Sequence, residues 1–325
     1  MRESDITSRL RQAARIPPGS QLVLGIGDDC AIWRPRGSAD DMLFTSDLLV
    51  ENVHFLRATH TARDVGYKAV VRSLSDIAAM GGTPQFCLLA VALPEWADKK
   101  WIDGFFDAAV KTARAAGCIL AGGDLTRAAA FACDVMVCGA VPRGRALRRD
   151  GARRGHHIYV SGRLGGSALG LDESERRGKA LRSKAWKRHV QPEPRLALGQ
   201  FLREKLHASA AMDISDGLSL DLQRLCLASG LAADIVEPPR FPRASPQQAL
   251  HGGEEYELLF TVPQGVKVPA RFGDLPLTGI GSMRAGPAGE VRLQGALLPA
   301  LGHDHFDSPG GALKVCGWER GAVPG

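Results

Sequence analysis

The sequence predicts an α/β protein of two domains. Strand-length apolar runs alternate with helix-length amphipathic stretches through residues 1–145, a basic, turn-rich break follows, and a second succession of strands and helices starts beyond it. With 325 residues, 45% of them hydrophobic, the chain is long enough to bury two separate cores.

In the first domain, residues 1–145, the runs at 22–26, 42–45, 87–93, 118–121 and 135–141 have strand length and strand composition. Residues 61–80 read as a long helix stopped by Gly81-Gly82. Residues 98–116 read as another, with Trp101, Phe105, Ala108, Thr112 and Ala116 on one face. Both are expected to pack on the sheet. The arginine- and glycine-rich stretch 143–155 marks the boundary. The second domain, residues 146–325, opens with a strand at 157–161 and a Gly-rich turn at 162–170. Residues 172–189 are dense in charge and read as a solvated helical surface, stopped by Pro192 and Pro194. A helix at 218–228 and strands at 257–262 and 277–280 complete the pattern.

Composition narrows the function classes. A net charge of +6 comes from 41 basic and 35 acidic residues, a mixed surface, and only 6% of residues are aromatic. No basic stretch interleaves rings that would stack on bases, so a small anionic substrate is expected in place of nucleic acid. Cys30, Cys87, Cys118, Cys133, Cys138, Cys226 and Cys316 form no Cys-x-x-Cys pair and are odd in number, which argues for reduced thiols in the cytoplasm and against zinc. Residues 1–16 lack a signal-peptide core, and no stretch approaches the roughly 20 apolar residues of a membrane span.

The chemistry lies in aspartates that recur at the ends of apolar runs beside small residues: Gly27-Asp28-Asp29, Thr45-Ser46-Asp47, Leu74-Ser75-Asp76, Gly122-Gly123-Asp124 and Asp213-Ile214-Ser215-Asp216. Loops at strand ends are where α/β proteins assemble sites. Two carboxylates about 5 Å apart repel by roughly 3 kcal/mol at an effective dielectric near 20, so convergence of several calls for a cation. All-oxygen ligands select Mg²⁺ or Ca²⁺ over zinc, and Mg²⁺ bridges carboxylates to phosphates. Taken singly, each motif also reads as a turn or a helix cap, and Asp76 as an i, i+4 partner of Arg72. Neither a Gly-x-x-x-x-Gly-Lys-Ser/Thr loop nor a complete dinucleotide fingerprint is present, so recognition of ATP would rest largely on metal bridges.

In their order, these motifs resemble those of the thiamine-monophosphate kinases, of the superfamily that includes aminoimidazole ribonucleotide synthetase and selenophosphate synthetase. Besides the aspartate motifs, the resemblance is carried by Val53-His54-Phe55, Gly144-Arg145-Ala146-Leu147-Arg148-Arg149, the Pro-x-Pro-Arg of residues 192–195 and Gly252-Gly253-Glu254 before Tyr256-Glu257-Leu258. It implies direct, in-line transfer of the ATP γ-phosphoryl group onto thiamine monophosphate, with Asp47, Asp124 and Arg149 in the catalytic machinery. Asp29, Thr45, Ser46, Asp47, Asp76, Asp124, Asp213 and Asp216 fall at positions that hold Mg²⁺. Gly123, Asp124, Arg149 and Ser215 fall at nucleotide contacts, and His54, Glu254 and His303 on the substrate side. The implied fold is a homodimer whose N-terminal sheets close a β-barrel between subunits, each with a C-terminal α/β domain. Glu255, Leu125 and Arg72 stand where the family pattern commonly has Asp, Thr and Asn, and His303 where an aromatic ring is expected. Two other readings remain open: a superfamily enzyme acting on another acceptor, and a non-catalytic Mg²⁺-nucleotide-binding regulator. A hydrogenase-maturation relative would end on a reactive Cys, whereas Cys316 here precedes further residues.

Overall fold

The computed structural model describes residues 3–177 and 183–304. The first half runs α1 (Glu3–Ala13), β1 (Leu22–Leu24), β2 (Ala31–Trp33), β3 (Asp40–Val50), α2 (Ala62–Ala79), β4 (Thr83–Leu93), α3 (Lys99–Ala115), β5 (Ile119–Arg127) and β6 (Ala132–Pro142). Its six strands form one mixed sheet in the order β1-β2-β3-β6-β4-β5, with only β4 and β5 parallel. Helix α2 starts at a capping box in which Thr61 and Asp64 satisfy each other's backbone N–H groups. Asp98 caps α3 by accepting from Trp101 N–H. Both helices pack on one face of the sheet, where Leu43, Leu49, Leu74, Ile77, Phe105 and Val135 are buried together.

Side chains alternate across a strand, so the opposite face of this sheet carries the other residues. The ladder Leu48–Asp134–Ala90–Asp124 runs across that face from β3 to β5. Leu48 and Leu88 are exposed on it.

The second half contains β7 (His157–Ser161), α4 (Gly166–Arg177), α5 (Lys184–Val190), α6 (Leu196–Glu204), β8 (Ala210–Asp213), α7 (Leu218–Ser229), β9 (Ala232–Ile235), α8 (Pro246–His251), β10 (Leu258–Val262), β11 (Arg271–Phe272), β12 (Leu275–Arg284), β13 (Val291–Leu293) and β14 (Ala296–Leu297). These build a second mixed sheet in the order β14-β13-β9-β12-β7-β10-β8, with β11 paired to β12. The two-sheet α/β architecture expected from the sequence is therefore present.

Two local expectations are corrected. The Gly-rich stretch 162–170 is a turn only in its first part, because α4 begins at Gly166. Gly170 lies inside that helix, where an added Cβ would meet Ala185 O of α5 at 2.3 Å, so this glycine serves close helix packing and not a turn. The charged stretch 172–189 is not one solvated helix. Its second part, α5, buries Ala185, Trp186, His189 and Val190.

Helix α2 is the element common to both halves. It buries thirteen residues, touches β3 and α3 on its own side, and meets α5, α6 and β8 of the other. Such a helix shows little amphipathic contrast because it is covered nearly all round. Gly199 of α6 allows the closest approach, since a Cβ there would stand 1.9 Å from Ala78 O.

Candidate active site

At the end of α2 the two halves bring their acids together. Asp29 comes from the turn after β1, Asp76 from the last turn of α2 and Asp213 from the end of β8. One carboxylate oxygen of each lies within 4.8 Å of the other two. Asp29 and Asp213 are buried and Asp76 is half-buried. The Thr45 hydroxyl donates to Asp76 Oδ2, and Ser75 Oγ donates to Asp213 Oδ2 at 2.6 Å. Desolvation, followed by the charges of Asp47, Asp213 and Asp29, pushes the Asp76 carboxyl well above the usual range. Asp213 is raised in the same direction, by burial first and Asp29 second.

Arg149 supplies positive charge at one edge. Its Nη2 stands 2.6 Å from Asp29 Oδ1 and its Nε 3.8 Å from Asp28 Oδ1, while its backbone N–H donates to Asp28 Oδ2 at 3.2 Å. Burial and the neighbouring Asp29 charge nevertheless push Asp28 up to about 7. A buried acidic cluster with one arginine at its rim remains under-neutralised. An all-oxygen donor set of three carboxylates and a hydroxyl fits a hard divalent cation.

The remaining expected site residues fall into different places. Asp47 borders the cluster and pairs with Arg72, whose Nη2 lies 3.5 Å from Asp47 Oδ1. Arg72 thus meets an acid on β3. Ser46 points to the opposite face of the sheet, its Oγ 2.7 Å from Asp134 Oδ1. Asp124 lies in the ladder on that same face, and the three-carboxylate group does not include it. The period of two along the strands accounts for both placements. Gly123 has φ +153, and a Cβ there would lie 1.9 Å from Leu89 O, so β5 runs tightly against β4 at this point.

Asp216 lies on the α7 side of its turn, paired with Arg224, and its carbonyl accepts from the His303 N–H at 2.9 Å. Ser215 is half-buried, and its carbonyl accepts from Glu254 N–H at 2.6 Å. His54 is buried, with Nδ1 accepting from Val50 N–H at 3.0 Å. Glu254 is buried against Lys68. His305, Phe306 and Cys316 lie outside the described residues.

Three neighbours were not among the sequence candidates. Lys68 is wholly buried, Ser75 holds Asp213, and Tyr256 is buried beside Arg72, Glu254, Asp47 and Asp213. A signal for the first was present, because Lys68, Arg72 and Asp76 recur every four residues in a helix that is otherwise largely apolar.

Residues 27–142 match the family described as AIR synthase related protein, N-terminal domain, and residues 153–294 match its C-terminal domain. The thiamine-monophosphate kinase of Escherichia coli strain K12 is 38% identical over 307 residues, covering 88% of this chain and 93% of that protein. A structure described as AaThiL complexed with AMPPCP and TMP superposes with a TM-score of 0.81 at 29% identity, covering 94% of this chain and 97% of that one. The thiamine-monophosphate kinase from Stenotrophomonas maltophilia gives a TM-score of 0.72 at 35% identity, covering 90% and 96%.

Proposed function

This chain belongs to the thiamine-monophosphate kinases of the AIR synthase-related family, and from that premise we propose how its residues carry out the reaction. The enzyme phosphorylates thiamine monophosphate to thiamine diphosphate at the expense of ATP. An oxygen of the acceptor phosphate forms the new P–O bond as the bond between the γ-phosphorus and the ADP oxygen breaks.

The observation that carries the reading is the meeting of Asp29, Asp76 and Asp213 within 4.8 Å. We assign Mg²⁺ to this group, with Thr45 and Asp47 at its border. When bound, the cation offsets the charge of the phosphate oxygens and holds them in place. The acceptor oxygen is already ionised at neutral pH, so the protein needs no strong base, and its task is positioning and charge. Arg149, whose guanidinium lies at the cluster's rim beside Asp29, would pair with phosphate oxygens. Asp216 and Asp124 would join as outer ligands, Gly123 and Ser215 as backbone contacts to the nucleotide, and His54, Glu254 and His303 as the acceptor side.

We further propose a homodimer. The helix-free face of the first sheet, with Leu48 and Leu88 exposed, and the edge strand β5, with Ile119 and Leu125 exposed, support a partner closing a barrel there. Ser46, Asp124 and Asp134 would then stand at the subunit boundary. Six free, buried cysteines among the described residues support a reducing, cytoplasmic setting, and no helix among those residues is long and apolar enough to cross a membrane.

Incubation of the purified protein with ATP, Mg²⁺ and thiamine monophosphate tests the assignment. Thiamine diphosphate and ADP are expected in equal amounts, and none in the presence of a chelator. Product formed only with another acceptor would overturn it.

A further inference from the structure

We propose that Lys68 is a positioning residue for the acceptor, clamping Glu254 so that its second carboxylate oxygen, buried and without a protein partner, is kept for the cationic ring portion of thiamine monophosphate. The inference rests on the function proposed above.

Lys68 sits in the middle of α2 and is 0% exposed. Lysine is almost never buried so fully unless paired, and a buried ion pair seldom adds stability over apolar side chains of similar volume. Its partner is Glu254, itself 5% exposed, with Oε2 at 2.6 Å from the ammonium. The other oxygen, Oε1, has no hydrogen-bond partner. A buried acceptor left bare costs about 1–3 kcal/mol, more when charged, unless a donor arrives.

The backbone adds a second observation. Glu254 has φ +59 and Tyr256 φ +51, left-handed conformations that non-glycine residues seldom adopt. Strain of this kind persists where the surroundings enforce it. Here the Glu254 N–H donates to Ser215 O and the Tyr256 N–H to Ile214 O, so the strained loop is fastened to the residues directly after Asp213.

Geometry links this carboxylate to the site of transfer. Lys68, Arg72 and Asp76 lie on one stripe of α2, and eight residues of helix span about 12 Å. An acceptor with its phosphate at the carboxylate group would direct its cationic ring portion along that stripe toward Glu254. His189, whose Nδ1 is 3.6 Å from Glu254 Oε2, is kept neutral by burial and by Lys68, so Lys68 is the cation that fixes Oε2. Oε1 is left for the acceptor.

Steady-state kinetics of the full chain, varying acceptor and ATP separately, test the inference with wild type, Lys68→Met and Lys68→Gln. Lys68→Met is expected to raise KM for thiamine monophosphate about tenfold or more with KM for ATP within about twofold, the pattern of lost acceptor binding. Lys68→Gln, which keeps a donor, should raise it less, and carries the test if Lys68→Met does not accumulate as folded protein. An unchanged acceptor KM in folded variants, or parallel rises in both KM values, would overturn the inference and leave the kinase assignment standing. A wild-type protein that makes no thiamine diphosphate would remove both.

Discussion

Ser75 Oγ donates to Asp213 Oδ2 at 2.6 Å, joining the last turn of α2 in the first half of the molecule to the end of β8 in the second. The bond fixes the carboxylate that completes the group with Asp29 and Asp76. The site therefore exists only when both sheets are folded and docked through α2, and acids far apart in sequence become neighbours by tertiary packing alone.

Removing one charge from this group separates its electrostatic cost from its use. Asp76→Asn keeps an acceptor for Thr45 and relieves repulsion among the three side chains. In chelator at pH 8 its melting temperature is expected to exceed that of wild type. Turnover should fall by about 100-fold or more, as when one element of a preorganised charged site is lost. A variant that melts lower in chelator and turns over normally would remove the cluster from the mechanism.

The pH dependence of the metal-free protein follows from the same group. Burial pushes Asp28 up to about 7, and Asp76 and Asp213 are also raised. The folded state thus holds these protons more tightly than the unfolded chain, whose carboxyls titrate near about 4. The Asp28 contribution is complete below that value and is lost as pH climbs through about 7, and those of Asp76 and Asp213 are lost in the same direction as pH rises. Thermal melts in chelator should therefore fall between pH 5 and about 8, and saturating Mg²⁺, which binds the deprotonated acids, should flatten or reverse the trend. A metal-free melting temperature that climbs over that range contradicts the assignment.

Arg149 is the positive charge at Asp29 and Asp28. Arg149→Ala leaves buried acids less compensated, so its destabilisation should be larger in chelator than in Mg²⁺. KM for ATP should rise and turnover drop by about 100-fold, in keeping with loss of a charged phosphate contact. Equal loss of melting temperature in both buffers, with ATP kinetics unchanged, would make the arginine a purely structural partner.

How much of this was legible in the sequence depends on range. Helix α3 is read correctly because Trp101 and Phe105 recur at helical spacing and Asp98 caps it. Strand β8, which carries Asp213, has four residues, Ala-Ala-Met-Asp, too few to show any period. The repeated acids signalled a site, but which acids meet did not follow. Asp47 and Asp124 are both strand residues, and only the register places them on opposite faces of the sheet. The four-residue recurrence of Lys68, Arg72 and Asp76 was visible, but the burial of Lys68 was not, because a lysine in a helix normally faces water and its partner Glu254 lies 186 residues away.

The proposed dimer rests on the uncovered face and on β5, whose outer edge has no neighbour in the sheet. Ile119 and Leu125 on this strand are 69% and 62% exposed, a high value for large apolar side chains on a strand with a free edge. Sedimentation of wild type is expected to give a dimer that does not dissociate at micromolar concentration. Leu88→Lys combined with Ile119→Lys changes side chains of the helix-free face and leaves the helix-covered core untouched, so it should shift the protein toward monomer while preserving its secondary structure. Because Asp124 stands on the same face, the monomer should also lose activity. A fully active monomer would show that the face serves some other end and that each subunit completes its own site.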